Sequence, residues 1–198
     1  MAEDVSTLIQ KECTQPPIVA GHSMGGKVAM CLALQQPELI AGLVAMDIAP
    51  ISYAHSHLSL IDALGSLNLG KISHRSDADA DLAGQIPNPI LRAFLLQNLV
   101  YHNTCYDWRL NLPVLARSMS ALTDFPEYPQ KNRYDGPTLF LRGANSQYIP
   151  DSATSTIKQL FPSAKIRTIA NAGHWLHAEQ PDTVVTALQK FVASSSLR

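Results

Sequence analysis

The stretch Gly21-His22-Ser23-Met24-Gly25-Gly26, set directly behind the apolar run Pro17-Ile18-Val19-Ala20, limits what this chain can become more than any other part of it. Its pattern is G-x-S-x-G between a short strand and a helix, the arrangement of a nucleophile elbow. A serine on a tight strand-to-helix turn projects its Oγ above the sheet edge. Glycines two before and two after it let the chain pass close without Cβ clashes. The following helix, expected over residues 24–36, aims its N-terminus at the reaction centre and makes the Met24 backbone N–H a candidate oxyanion donor. Val28, Cys31, Leu32 and Leu34 give that helix an apolar stripe. Strand, turn and helix agree on one reading, Ser23 as a nucleophile in an α/β fold.

The flanking sequence alternates in the same way. Val5, Leu8 and Ile9 mark an amphipathic helix over residues 3–12, which Pro16-Pro17 breaks before a strand at 18–21. Pro37-Glu38 stops the elbow helix, and the apolar run 39–47 reads as a buried strand. Strands are expected again at 138–142 and 165–169, with a helix between them for which Asp151 is a plausible N-cap. A last helix follows Pro181-Asp182 and runs to about residue 193. Strand-helix-strand alternation predicts a mostly parallel sheet with crossover helices. The middle differs. It carries helical patterns over 59–67, 89–100 and 112–122, a polar loop at 76–81, and no convincing strand. The division expected is a core at 1–50, a helical cap at 51–134 and a second core half at 135–198.

Composition narrows the partners. Fifteen Lys and Arg against sixteen Asp and Glu leave a formal charge of −1, without a basic stripe, so nothing points to nucleic acid. The longest apolar run, 39–46, contains Gly42 and falls far short of the ~18 residues of a membrane span. Cys13, Cys31 and Cys105 are scattered and odd in number. They match no metal-ligand spacing and no disulfide framework, and they suit an intracellular, reducing compartment.

A serine nucleophile needs a base, and the base needs an orienting group. Of seven histidines, His174 stands out, because Asn171-Ala172-Gly173-His174-Trp175 follows the last strand and can bring its ring over the sheet edge. His177 is expected on the start of a helix, as a surface residue or one supporting the site from behind, and His22 to point away from the nucleophile. The order Ser, acid, His is that of the α/β-hydrolases. In the common pattern the acid lies three residues past a glycine after the strand that follows the insertion. Here that strand ends Leu141-Arg142-Gly143-Ala144-Asn145-Ser146, and Ser146 carries no charge. Asp47 ends the strand beside that of Ser23, and adjacent strands lie about 4.8 Å apart. Asp47 is therefore the favoured acid, with Ser146 as an added hydrogen-bond partner. Asp151 is the rival, already accounted for as a helix cap.

With these residues in place the chain resembles the YbfF-type esterases and their eukaryotic relatives, the α/β-hydrolase-domain protein eleven family. The matching stretches are Gly21 to Lys27, Met46-Asp47-Ile48-Ala49-Pro50, Trp108-Arg109-Leu110-Asn111-Leu112, Phe140 to Ile149 and Ala172 to Glu179. The resemblance implies carboxylic-ester hydrolysis. The leading function is a serine esterase acting on a small-molecule substrate, a small or medium acyl ester, with thioesters also in reach. The resemblance assigns Ser23 as nucleophile, Asp47 as acid, His174 as base and Ser146 as accessory serine. It also implies a four-helix-like cap, no metal, no organic cofactor, and mitochondria for eukaryotic members; the alternative is the cytoplasm.

Such hydrolases begin with strands that precede the helix at 3–12, one ending in a His-Gly loop that supplies a second oxyanion N–H. This chain has no His-Gly dipeptide, so an N-terminally truncated sheet of about four strands is expected, with the missing part supplied by a further segment or a partner. A chain of this kind is expected to turn over poorly alone. A C–C bond hydrolase with the same triad, and a non-catalytic pseudo-hydrolase, are the competing functions. Dehalogenases and epoxide hydrolases need an aspartate where Ser23 stands.

Overall fold

The strands fall where apolar runs meet breakers. The computed structural model describes residues 1–54, 57–128 and 132–195. In chain order the elements are α1 (Ala2–Glu12), β1 (Ile18–His22), α2 (Met24–Gln35), β2 (Gly42–Met46), α3 (Leu58–Gly65), α4 (Arg75–Leu82), α5 (Pro89–Leu96), β3 (Leu99–His102) and β4 (Cys105–Trp108). Then come α6 (Leu112–Thr123), β5 (Thr138–Gly143), α7 (Thr154–Leu160), β6 (Ala164–Ile169), α8 (Leu176–Glu179) and α9 (Pro181–Ser195). Single 3-10 turns occupy Pro37–Leu39, Leu69–Lys71 and Asp151–Ala153. The chain divides into two compact units, Met1–Ser52 with Phe125–Arg198, and Tyr53–Asp124.

The first unit is built on a parallel sheet of order β1-β2-β5-β6. Each parallel pair needs a crossover, and α2 and α7 supply two of them. Residues on both faces of the central strands are buried, as a covered parallel sheet requires. On one face Val44, Leu139, Leu141 and Ile169 pack with Val184, Ala187 and Phe191 of α9. Helix α2 is buried nearly all round, with Ala29, Met30, Leu32 and Ala33 at most 1% exposed, whereas the sequence suggested a single stripe that included Val28 and Cys31. Among the described residues β1 pairs with β2 alone and forms one edge of the sheet. The register His22↔Met46 and Met46↔Leu141 brings the C-terminal ends of β1, β2 and β5 level, and this alignment positions the site.

The second unit packs around Leu64, Leu82, Ile86, Leu96 and Leu99. Its α5 and α6 are capped by the side chains of Asn88 and Asn111, with Pro in the first turn. Three expectations fail here: a loop at 76–81, a helix over 89–100, and a middle stretch without strands. Residues 76–81 are not a loop but lie in α4. The Asp77 carboxylate accepts from the N–H groups of Ser73 (3.0 Å) and His74 (2.8 Å), while Ala78 and Leu82 turn inward. The pattern over 89–100 does not run on as helix, because α5 stops at Leu96 and β3 begins at Leu99. β3 and β4 form an antiparallel hairpin around Asn103-Thr104, with Asn103 at φ 54° and Tyr101 and Tyr106 ring to ring across it at 5.1 Å. Arg92 of α5 ties this unit together. Its guanidinium donates to both Asp79 carboxylate oxygens at 2.9 and 3.1 Å and to the Ile86 carbonyl at 2.8 Å.

Candidate active site

Ser23 occupies a backbone conformation that only its surroundings can hold. Its φ of 53° and ψ of −120° are unfavourable for a residue with a Cβ. Two features fix it. The Ser23 N–H donates to Met46 O at 3.0 Å, and its own carbonyl accepts from Gly26 and Lys27 at 2.9 and 3.1 Å in the first turn of α2. The turn is so tight that a Cβ at Gly21 would lie 2.2 Å from the Gly25 carbonyl carbon. Met24 is the first residue of α2, so its N–H has no carbonyl partner within the helix.

Asp47 follows the last residue of β2 and also sits at positive φ, 52°, with its N–H donating to Leu141 O at 2.7 Å. Its carboxylate is completely buried. Burying a charge costs heavily unless it is paired and hydrogen-bonded, and three donors meet it. The Gly143 N–H donates to Oδ1 at 2.8 Å, while the Ser146 hydroxyl and His174 Nδ1–H both donate to Oδ2, the latter at 2.8 Å. On the far side of the imidazole, His174 Nε2 accepts from Ser23 Oγ at 3.1 Å. These partners fix the tautomer, with the proton on Nδ1.

The loops after β5 and β6 are laced together to hold this arrangement. Ala144 N–H donates to Ile169 O at 2.9 Å and Asn145 N–H to Ala172 O at 2.8 Å. Gly143 is required at this approach, because a Cβ there would lie 2.2 Å from the Gly173 carbonyl oxygen. Glu179 of α8 accepts from the Gly173 N–H at 2.8 Å and steadies the loop from the other side.

The structure thus brings Ser23, Asp47, Ser146 and His174 together, with Met24 at the helix start beside Ser23. Asp151 stays out. It does not cap a helix through its side chain; it pairs with Arg142 Nη1 at 2.6 Å on the surface, and Pro150 precedes the turn. His22 does not simply point away. Its Nε2–H donates to the His174 carbonyl at 2.8 Å, and its ring lies 4.7 Å from that of His174 and 4.6 Å from that of exposed His177. Burial holds the His22 imidazole below its usual range; the adjacent His174 and His177 push the same way, against the carbonyl hydrogen bond and Asp47. Tyr148 is a further contact that the sequence does not announce, stacked on His174 with ring centroids 3.9 Å apart.

Comparison with known proteins places the chain in a family. Residues 1–187 match the alpha/beta hydrolase family. The chain is 40% identical over 199 residues to the sn-1-specific diacylglycerol lipase ABHD11 of Mus musculus, covering 98% of this chain and 64% of that protein. It is 32% identical to Esterase YbfF of Escherichia coli (strain K12), covering 97% of this chain and 73% of the relative. Among solved structures, one titled marine microorganism esterase superposes with a TM-score of 0.91 at 34% identity, over 96% of this chain and 75% of that one. The chain therefore spans just under two thirds of the mouse relative's length. With a parallel four-stranded sheet, crossover helices and this match over nearly its whole length, the chain belongs to the alpha/beta hydrolase family.

Proposed function

We propose that this protein is a serine hydrolase that cleaves carboxylic esters through an acyl-enzyme on Ser23. One observation carries the reading, the unbroken relay from Ser23 Oγ through His174 to the buried Asp47 carboxylate at 3.1 and 2.8 Å. A surface serine and a chance histidine have no need of a desolvated carboxylate held by three donors.

In the first step Ser23 Oγ attacks the ester carbonyl carbon, and its proton passes to His174 Nε2. The carbonyl π pair moves to oxygen, which the Met24 N–H at the start of α2 is placed to receive. Asp47 balances the imidazolium through Nδ1–H and stays ionised. Collapse of the tetrahedral adduct breaks the bond to the alkoxy oxygen, and His174 returns the proton to the departing alcohol. Water then attacks the Ser23 ester with its proton going to Nε2. The acid leaves as the C–Oγ bond breaks, and Oγ recovers its proton. Ser146 and the Gly143 N–H hold Asp47 in one orientation throughout.

The names of the relatives, a diacylglycerol lipase and an esterase, support carboxylic esters of lipid-like acyl groups as the substrate class, with thioesters as the comparison arm. The setting belongs to the same proposal. Three free thiols suit a reducing compartment, and a mitochondrial address in a eukaryote rests on the family resemblance alone. No helix among the described residues is long and apolar enough to cross a membrane. The direct test is rapid quenching after mixing the chain with a chromogenic butyrate ester, followed by peptide mass analysis. A butyryl increment on the peptide carrying Ser23, formed in a burst before steady turnover, is expected. Unchanged ester turnover by Ser23→Ala overturns the proposal.

A further inference from the structure

The imidazole of His174 is contacted on more than its two nitrogens. The Tyr148 ring lies flat against it, centroids 3.9 Å apart and planes 23° from parallel. That is face-to-face contact with the group that, in the proposed mechanism, alternates between neutral and cationic. An aromatic face attracts a cation through its quadrupole, and the attraction grows when the site is desolvated. The same residue also touches the acid side, since the Tyr148 N–H donates at 3.2 Å to Ser146 Oγ, which in turn donates to Asp47. A single residue thus borders both the base and the group that orients it.

We propose that Tyr148 is a positioning residue that acts through His174. Its π face holds the imidazole in the plane joining Ser23 to Asp47 and stabilises the imidazolium formed when Ser23 gives up its proton. The inference rests on His174 serving as the base.

The groups around the imidazole leave this role open to Tyr148. Asp47, at the end of β2, attracts the proton through Nδ1. His22 of β1 lies 4.7 Å away and spends its Nε2–H on the His174 carbonyl, so it braces the backbone rather than the ring charge. His177 of α8 faces His22, and Glu179 of α8 is engaged by the Gly173 N–H. Ser23 meets the opposite nitrogen. The Tyr148 ring is stacked flat on the imidazole, whereas the His22 ring is tilted 41° to it. Burial, with Asp47 nearby, pushes the Tyr148 phenol above its usual range, so it stays neutral wherever an imidazole titrates.

The test separates the ring face from the hydroxyl and from activity itself. The His174 pKa is followed by imidazole NMR, and kcat and KM are followed against pH, in the whole chain and in Tyr148→Phe and Tyr148→Leu. Tyr148→Phe should keep the pKa and the rate. Tyr148→Leu should lower the His174 pKa by about 0.4–1.5 units and kcat by about two- to thirtyfold, with KM unchanged. If Leu disturbs folding, 4-fluoro- and 3,4,5-trifluorophenylalanine at position 148 drain the π face at nearly constant shape, and the pKa should fall stepwise along that series. A His174 pKa indifferent to fluorination, or a Phe variant as impaired as Leu, overturns the proposal. The NMR titration reports on Tyr148 even if no ester is turned over, so a failure of the hydrolase reading would be seen separately.

Discussion

At the residue scale the feature hardest to explain without catalysis is Asp47, a charged carboxylate with no exposure, placed on a strained backbone at the tip of β2. Its neighbours divide the work unequally. Only Asp47 can offset a cation on His174, so Asp47→Asn should reduce kcat by about 10⁴ without loss of fold, as a wrong tautomer does in comparable triads. Ser146 adds one hydrogen bond, and Ser146→Ala should cost ~1 kcal/mol, about fivefold in kcat. Steady-state kinetics on the two variants check this, and the reverse order would move the acid away from Asp47. His22 gives a pH-dependent prediction. Its folded pKa is depressed below the unfolded value of 6.5, so its contribution to stability is present above that pH and is lost as pH falls through the folded pKa. Urea unfolding at about pH 7.5 and pH 5 should show a smaller loss of stability on acidification in His22→Gln than in the parent. An identical loss in both would contradict a half-buried His22 whose imidazole is held below its usual range. The convergence of Ser23, Asp47, Ser146 and His174 is legible in the sequence because each stands at or just past the C-terminal end of a strand, where a parallel sheet gathers its loops. Tyr148 and His22 are not legible as contacts. A stacked ring and a bond to a backbone carbonyl leave no spacing rule behind.

At the scale of elements, the loops after β5 and β6 meet so closely that a single methyl group would part them. Gly143→Ala would place a Cβ 2.2 Å from Gly173 O, and backbone cannot rotate away as a side chain can. The variant should lose about 1–3 kcal/mol of stability. It should lose about 10²-fold in kcat, because a shift near 1 Å of His174 breaks its alignment with Ser23. Thermal unfolding and initial rates measure both, and a fully active, fully stable variant would show that the loops are not held as described. The parallel strands and the helices that cross between them are readable because breakers such as Pro16-Pro17, Pro37 and Gly136-Pro137 bound them sharply. In Tyr53–Asp124 the signals are weaker. The turn of the β3–β4 hairpin is Asn-Thr rather than Asn-Gly, and its apolar residues run on from those of α5, so the strand merges with the helical pattern. Helix α4 looks polar because only Ala78 and Leu82 are buried; the Asp77 cap that starts it resembles a loop until its partners are seen.

At the scale of the molecule, the sheet order leaves β1, the strand that carries the elbow, on an edge among the described residues. A flat apolar edge is a template for pairing with other chains. The chain in isolation should therefore associate as its concentration rises, and Val19→Lys on β1 should reduce that association in light-scattering chromatography. A parent chain that stays monomeric at high concentration would show that the edge is already covered. The central claim is that this edge strand delivers an activated serine to a histidine held by a buried acid. Reaction with a fluorophosphonate tests it most directly, because labelling requires the folded elbow, a deprotonated Ser23 Oγ and access to it at once. Peptide mapping of the labelled chain should place a single adduct on Ser23, absent in Ser23→Ala and much slower in His174→Ala and Asp47→Asn. An adduct on another serine, or equal labelling of the Ser23→Ala variant, would contradict the account.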